Sequence, residues 1–92
     1  MSAQDPDRLV LYVRAGCHLC EDARVVVEQV AAEAGESWAE VDIQDAGPQT
    51  ATLVEEYGEK VPVVTVDGVP QGFWRVDAAR LHRALQDGRG RR

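Results

Sequence analysis

The sequence has no apolar run that approaches the roughly 20 residues a membrane-spanning helix requires. Its first residues, MSAQDPDR, are acidic and lack the apolar core of a secretory leader, so the expected setting is cytoplasmic and reducing. Positive charge is scarce as well. Ten Lys and Arg stand against 16 Asp and Glu, a formal net charge of -6. An acidic surface repels phosphate backbones and anionic lipid, which argues against nucleic acid and membrane as partners. The exception, Gly88-Arg89-Gly90-Arg91-Arg92, is locally basic and reads as a solvated C-terminal tail. Cysteine is scarcer still. The only two, Cys17 and Cys20, share one short stretch, RAGCHLCE at 14–21. A bridge closing so small a loop constrains almost none of the unfolded chain, so the pair cannot brace the fold. That points it toward reactivity.

The chain has 92 residues, 45% of them hydrophobic, which suits one small domain with a packed core. No repeat, linker or low-complexity stretch divides it. Leu9 to Val13 is a nearly continuous apolar run, as in a strand buried on both faces in the middle of a sheet. Ala23 to Ala34 reads as a helix, with Leu19, Ala23, Val26, Val27, Val30 and Ala34 forming an apolar stripe and Gly35 placed to end it. Trp38 to Asp42 follows as a second strand. Pro48 opens another helix that runs to about Tyr57 and closes at Gly58, with Leu53, Val54 and Tyr57 inward.

Pro62 to Val66, then Asp67-Gly68, then Val69 onward carry a strong hairpin signal. Pro70 reads as a blocker on the edge strand. Asp77 caps a last helix whose stripe is Ala78, Leu81 and Leu85, with Gly88 just past its end. The order is βαβαββα. The first two strands, joined by a helix, are expected parallel and the last two antiparallel, giving an α/β fold with a four-stranded mixed sheet flanked by helices.

Cys17 falls where a strand ends and a helix begins, and there unpaired backbone N–H groups and the helix dipole favour a thiolate. Cys20 lies one turn on, within reach to resolve a mixed disulfide. His18, when protonated, would stabilise the thiolate further. Arg14 either adds positive potential or is a solvated strand-end charge. Glu21 and Asp22 read as ordinary first-turn acids. Tetrahedral zinc needs about four ligands, and Cys17, His18 and Cys20 cannot all converge from one helical turn. His82, the only other histidine, reads as a surface residue.

Taken together, Cys-x-x-Cys opening a long helix after a strand, then Val61-Pro62 before a hairpin and a closing helix, resembles the thioredoxin fold. Within that fold the chain is similar to glutaredoxins, in particular to small glutaredoxin-like proteins with the motif Gly-Cys-His-Leu-Cys-Glu, here Gly16 to Glu21. The resemblance spans about Leu9 to Leu85, within a single thioredoxin-like domain over 1–92 with an ordered core of about 8–87. It implies thiol–disulfide exchange, with Cys17 attacking, Cys20 resolving, and Pro62 as a cis-proline beside which the backbone of Val61 pairs with a substrate strand. Without the resemblance, Pro62 reads as a trans proline opening an edge strand.

His18 and Leu19 stand where typical glutaredoxins have Pro-Tyr, so substrate contact is assigned to Arg14, His18, Leu19, Val61 and Pro62. In place of a glutathione-binding Gly-Gly pair the chain reads Gln71 to Asp77, with Phe73 and Trp74 read first as packing residues and second as the rim of a groove for an apolar partner. The exchange requires no metal or organic cofactor, and glutathione or another low-molecular-weight thiol would serve as co-substrate. The expected partners are a disulfide or mixed-disulfide protein substrate and a thiol reductant, met by a monomer. A second reading is a thioredoxin-fold protein-binding or redox-sensing module without turnover. A third, iron–sulfur or zinc ligation by a dimer through Cys17, is disfavoured by the competing second cysteine.

Overall fold

Five residues alternate buried and half-buried along the first strand, β1 (Leu9–Val13). Its neighbours are β2 (Trp38–Asp42) on one side, parallel, and β3 (Val63–Val66) on the other, antiparallel. The hairpin partner β4 (Val69–Phe73) completes a mixed sheet in the order β2-β1-β3-β4. The computed structural model describes residues 8–90, with side chains through Asp87. The helices are α1 (His18–Ala34), α2 (Thr50–Tyr57) and α3 (Ala78–Gly90), and a single 3-10 turn, Gly47–Gln49, leads into α2. Among the described residues no helix is long and apolar enough to cross a membrane.

Alternation along the strands turns Leu9, Leu11 and Val13 to one face, with Val64 and Val66 opposite Leu11 and Leu9. Onto that face pack Cys20, Ala23, Val27, Val30 and Ala31 of α1 and Leu81 and Leu85 of α3, all nearly excluded from solvent. Each such Leu or Val contributes roughly 1.5–3 kcal/mol by leaving water. On the other face Tyr12 meets Tyr57 of α2, ring centroids 5.2 Å apart. Burial pushes the Tyr57 phenol above its ordinary range.

The turns follow from local chemistry. Asp67 and Gly68 both have positive φ, 53° and 83°, the signature of a two-residue type I′ hairpin. Gly35 takes the left-handed conformation that ends α1, and its own N–H and that of Glu36 satisfy carbonyls of the last turn. The Asp77 carboxylate accepts from the N–H of Arg80 at the start of α3. Pro70 sits on the edge strand opposite Thr65, where the register is irregular.

Several expectations need correction. The apolar periodicity alone marks α1 only from Ala23, but the helix begins at His18 with Cys17 as its cap, at the strand-to-helix junction expected for the cysteine pair. Leu19 stands 43% exposed and Val54 40%, since only one narrow stripe of each helix meets the sheet. The proline at 48 opens a 3-10 turn before the α-helix, and Gly58 follows α2 in helical geometry (φ -51°) instead of a left-handed stop. Gly88 does not end α3, which runs through it to Gly90. A glycine weakens a helix by about 1 kcal/mol but keeps its N–H and so does not force a stop. Pro62 precedes a central strand, not an edge one. Of the basic tail, Arg91 and Arg92 lie outside the described residues.

Candidate functional site

At the end of β1 the chain turns through Arg14, Ala15 and Gly16, and Gly16 makes the reversal at φ 78°. Cys17 then stands in extended conformation as the N-cap of α1. Its Sγ accepts a hydrogen bond from the backbone N–H of Cys20 at 3.2 Å, the role that Ser or Asp oxygens usually fill at this position. Cys17 and Cys20 are joined as a disulfide, with their Cα atoms 5.3 Å apart. The two sulfurs are not equivalent in surroundings. Cys17 is partly exposed, whereas Cys20 is 2% exposed and packed in the core under α1.

The strand register places the second part of the site. Tyr12 is the last β1 residue paired with β3, opposite Val63, so β1 leaves the sheet toward Cys17 at the end where Val61-Pro62 enters it. Both Val61 and Pro62 are buried, and the peptide between them is cis. Phe73 pairs with Val63, which brings the exit of β4 to the same end. There the N–H of Trp74 donates to the carbonyls of Lys60 (3.2 Å) and Pro62 (3.0 Å). Three chain segments distant in sequence therefore meet at one end of the sheet. They are 14–20, 60–62 and 73–76.

Arg14, His18 and Leu19 are all exposed around the disulfide turn. Glu21 occupies the first turn of α1 and Asp22 follows it, both exposed. His82 is not a plain surface residue. It is half-buried and its Nε2 lies 2.8 Å from the Glu33 carboxylate, bridging α3 to α1. Among the described residues no group of three or more His, Cys, Asp or Glu is placed to hold a metal ion.

The aromatic pair departs from the favoured sequence reading, packing, and Trp74 takes the other one, at the edge of a groove. Phe73 is 37% exposed and Trp74 54%, so neither is core. Lys60 Nζ lies 5.2 Å from the centroid of the Phe73 ring. Strand alternation bears only on Phe73, the last residue of β4, because Trp74 lies beyond the strand with a left-handed backbone. Trp74 helps wall a groove of about 340 Å³ against Leu19, Ala23 and Val26 of α1. A larger concavity, about 630 Å³, lies at the hairpin-turn end of the sheet among Asp67, Arg80, Arg83 and Asp87. It is remote from both sulfurs and offers no nucleophile.

Comparison with known proteins gives a consistent picture. The family model of the glutaredoxin-like domain (DUF836) matches residues 8–86. Uncharacterized protein Rv0508 of Mycobacterium tuberculosis is 33% identical over 73 residues, covering 77% of this chain and 74% of that one. The X-ray structure of protein XcR50 from X. campestris superposes with a TM-score of 0.64 at 33% identity, over 86% of this chain and 96% of that one. The holo form of glutaredoxin C1 from Populus tremula x tremuloides superposes at 0.54 and 23% identity, over 88% and 85%, which speaks for the fold alone.

Proposed function

This chain belongs to the glutaredoxin-like domain family, and we propose that it is a thiol–disulfide oxidoreductase in which Cys17 attacks and Cys20 resolves. The observation that carries the reading is the asymmetry of the pair. One sulfur is accessible and sits at a helix N-cap with a backbone N–H directed at it, and its partner is buried one turn away within bonding reach. A helix N-terminus carries about half a positive charge, and an N–H that donates to sulfur stabilises the thiolate over the thiol.

The exchange balances as two displacements. In the reduced protein the Cys17 thiolate attacks one sulfur of a substrate disulfide, forms a mixed disulfide and expels the other substrate thiolate, which takes a proton from solvent. Cys20, deprotonated in turn, attacks Cys17 Sγ, restores the Cys17–Cys20 disulfide and releases the second substrate thiolate. The substrate gains two electrons and the protein loses two. Two equivalents of glutathione or another low-molecular-weight thiol then reduce the pair, in a cytoplasmic setting. Arg14 and, when protonated, His18, both exposed on the turn that carries the attacking sulfur, favour an anionic transition state. The end of the sheet at Val61-Pro62 receives the substrate backbone.

The test uses single variants. Cys17→Ser is expected to abolish disulfide reduction, and Cys20→Ser to accumulate a protein-bound mixed disulfide visible by intact mass. Iodoacetamide should alkylate reduced Cys17 well below pH ~8.5, where an ordinary cysteine is still mostly protonated. An ordinary alkylation profile with no turnover of any disulfide would refute the enzyme and leave a protein-binding or redox-sensing module. That second reading draws on the exposed Leu19 and Trp74 beside the pair.

A further inference from the structure

Trp74 combines three properties seldom found together. Its φ is 68°, in the left-handed region that a bulky aromatic rarely adopts. Both of its N–H groups are engaged, the backbone one with Lys60 and Pro62 carbonyls and the indole Nε1–H with the Glu59 carbonyl at 2.9 Å. Yet the side chain is 54% exposed. Backbone strain that yields neither core burial nor an unfilled hydrogen bond marks a position held for its surface. With its backbone and ring both anchored, the indole loses little freedom when something packs on it.

The surface it presents is set by α1. The stripe Cys20, Ala23, Val27, Val30 faces the sheet, and a second stripe, Leu19, Ala23 and Val26, faces Trp74 across the 340 Å³ groove. Leu19 lies between the two cysteines in sequence, so the groove begins at the disulfide turn itself. Its charged members are Asp22 and Arg75, one of each sign, which leaves no net field to favour an ionic side chain. A polypeptide whose cysteine meets Cys17 Sγ carries its next residue about 3.8 Å further along the chain, a span short enough to matter to a groove that starts two residues from Cys17, at Leu19.

We propose that Trp74 is a specificity-determining residue: with Leu19 and Val26 it walls a subsite that takes a large apolar side chain adjacent to the substrate cysteine of a polypeptide disulfide. The inference rests on the oxidoreductase reading and narrows its substrate class. A small disulfide has no side chain to place there, and a polar one would trade water for an apolar wall.

The test compares two symmetric peptide disulfides identical except for Leu or Ser on either side of the cysteine, with hydroxyethyl disulfide as a third substrate. The intact protein should prefer the Leu peptide by about tenfold in kcat/KM, chiefly through KM, as a single buried apolar side chain implies. Trp74→Gly, which accepts the left-handed backbone without strain, should reduce the preference to under about twofold. Leu19→Ser attacks the same subsite from α1 and should do likewise, so a folding failure of one variant leaves the other. Trp74→Phe should keep most of the preference. Equal turnover of the two peptides by the intact protein, or a preference that survives in folded Trp74→Gly or Leu19→Ser, overturns the subsite while the oxidoreductase reading stands. No turnover of any of the three disulfides overturns both.

Discussion

Gly16 shows how little separates a reactive pair from an ordinary helix start. At φ 78° it sends β1 into the α1 N-terminus, and a Cβ added there meets nothing within 4 Å. The cost of Gly16→Ala is therefore purely conformational, about 1–2 kcal/mol. Urea unfolding should record that loss, and an unchanged or raised midpoint would show that the turn relaxes. At Cys17 the same economy holds, because one sulfur serves both as helix cap and as disulfide partner. Trp74 is the opposite case, a large residue in a glycine-like conformation whose exposure, not whose packing, has to be explained.

Among the elements, α1 is fixed along its whole length, and beside its Glu33–His82 bridge to α3 three features hold it. The Cys17–Cys20 turn holds its start, the left-handed Gly35 its end, and Arg24 its middle. Arg24 donates to both oxygens of Glu40 on the edge strand β2, at 2.8 and 2.7 Å. Those hydrogen bonds, ahead of the Arg24 charge and against some desolvation, hold the Glu40 carboxyl below its ordinary range. A carboxyl depressed in the fold stabilises it above its unfolded pKa, ~4.3, and that stabilisation is lost as pH falls through the folded value. The pair is largely solvated, so Glu40→Gln should cost only about 0.2–1 kcal/mol at pH 7 and less at high salt. In strong acid, where the carboxyl is protonated in both states, intact protein and variant should converge. Urea midpoints across pH check this, and a gap that persists in acid would assign the role of Glu40 to packing.

For the molecule as a whole, α3 is the closing piece. Leu81 and Leu85, each 1% exposed, seal the face of the sheet that α1 leaves open. Leu81→Ala should cost about 2–5 kcal/mol, a large part of the roughly 5–15 kcal/mol that holds a domain of this size. Thermal and urea unfolding would measure it directly. A loss below 1 kcal/mol would mean that α3 is not docked as described. Arg8 adds a polar clasp at the end of the sheet away from the cysteines. It pairs with Glu36 at 2.8 Å and Asp67 at 2.9 Å and donates to the Leu85 carbonyl at 3.0 Å, joining the α1–β2 connection, the hairpin turn and α3. Removing the guanidinium with Arg8→Met should cost about 1–2 kcal/mol of unfolding free energy by urea titration, between the values for surface and buried pairs.

Local chemistry was enough to determine several features from the sequence alone. The apolar run of β1, the Asp67-Gly68 turn, the Gly35 stop, the Asp77 cap and the Cys17–Cys20 pair each act through their immediate neighbours, and each stands where the sequence puts it. The order of elements then left few ways to pair the strands. What tertiary structure alone decided is which of two equally apolar stripes meets the core. Leu19 and Val26 have the same spacing as the buried positions of α1, and only the seating of the helix on the sheet turns them to a groove. The same holds for Trp74, whose backbone is held by carbonyls of residues 60 and 62 and whose ring is held by that of residue 59. No local propensity would put a tryptophan in the left-handed region, and the partners that hold it there lie 12 to 15 residues away.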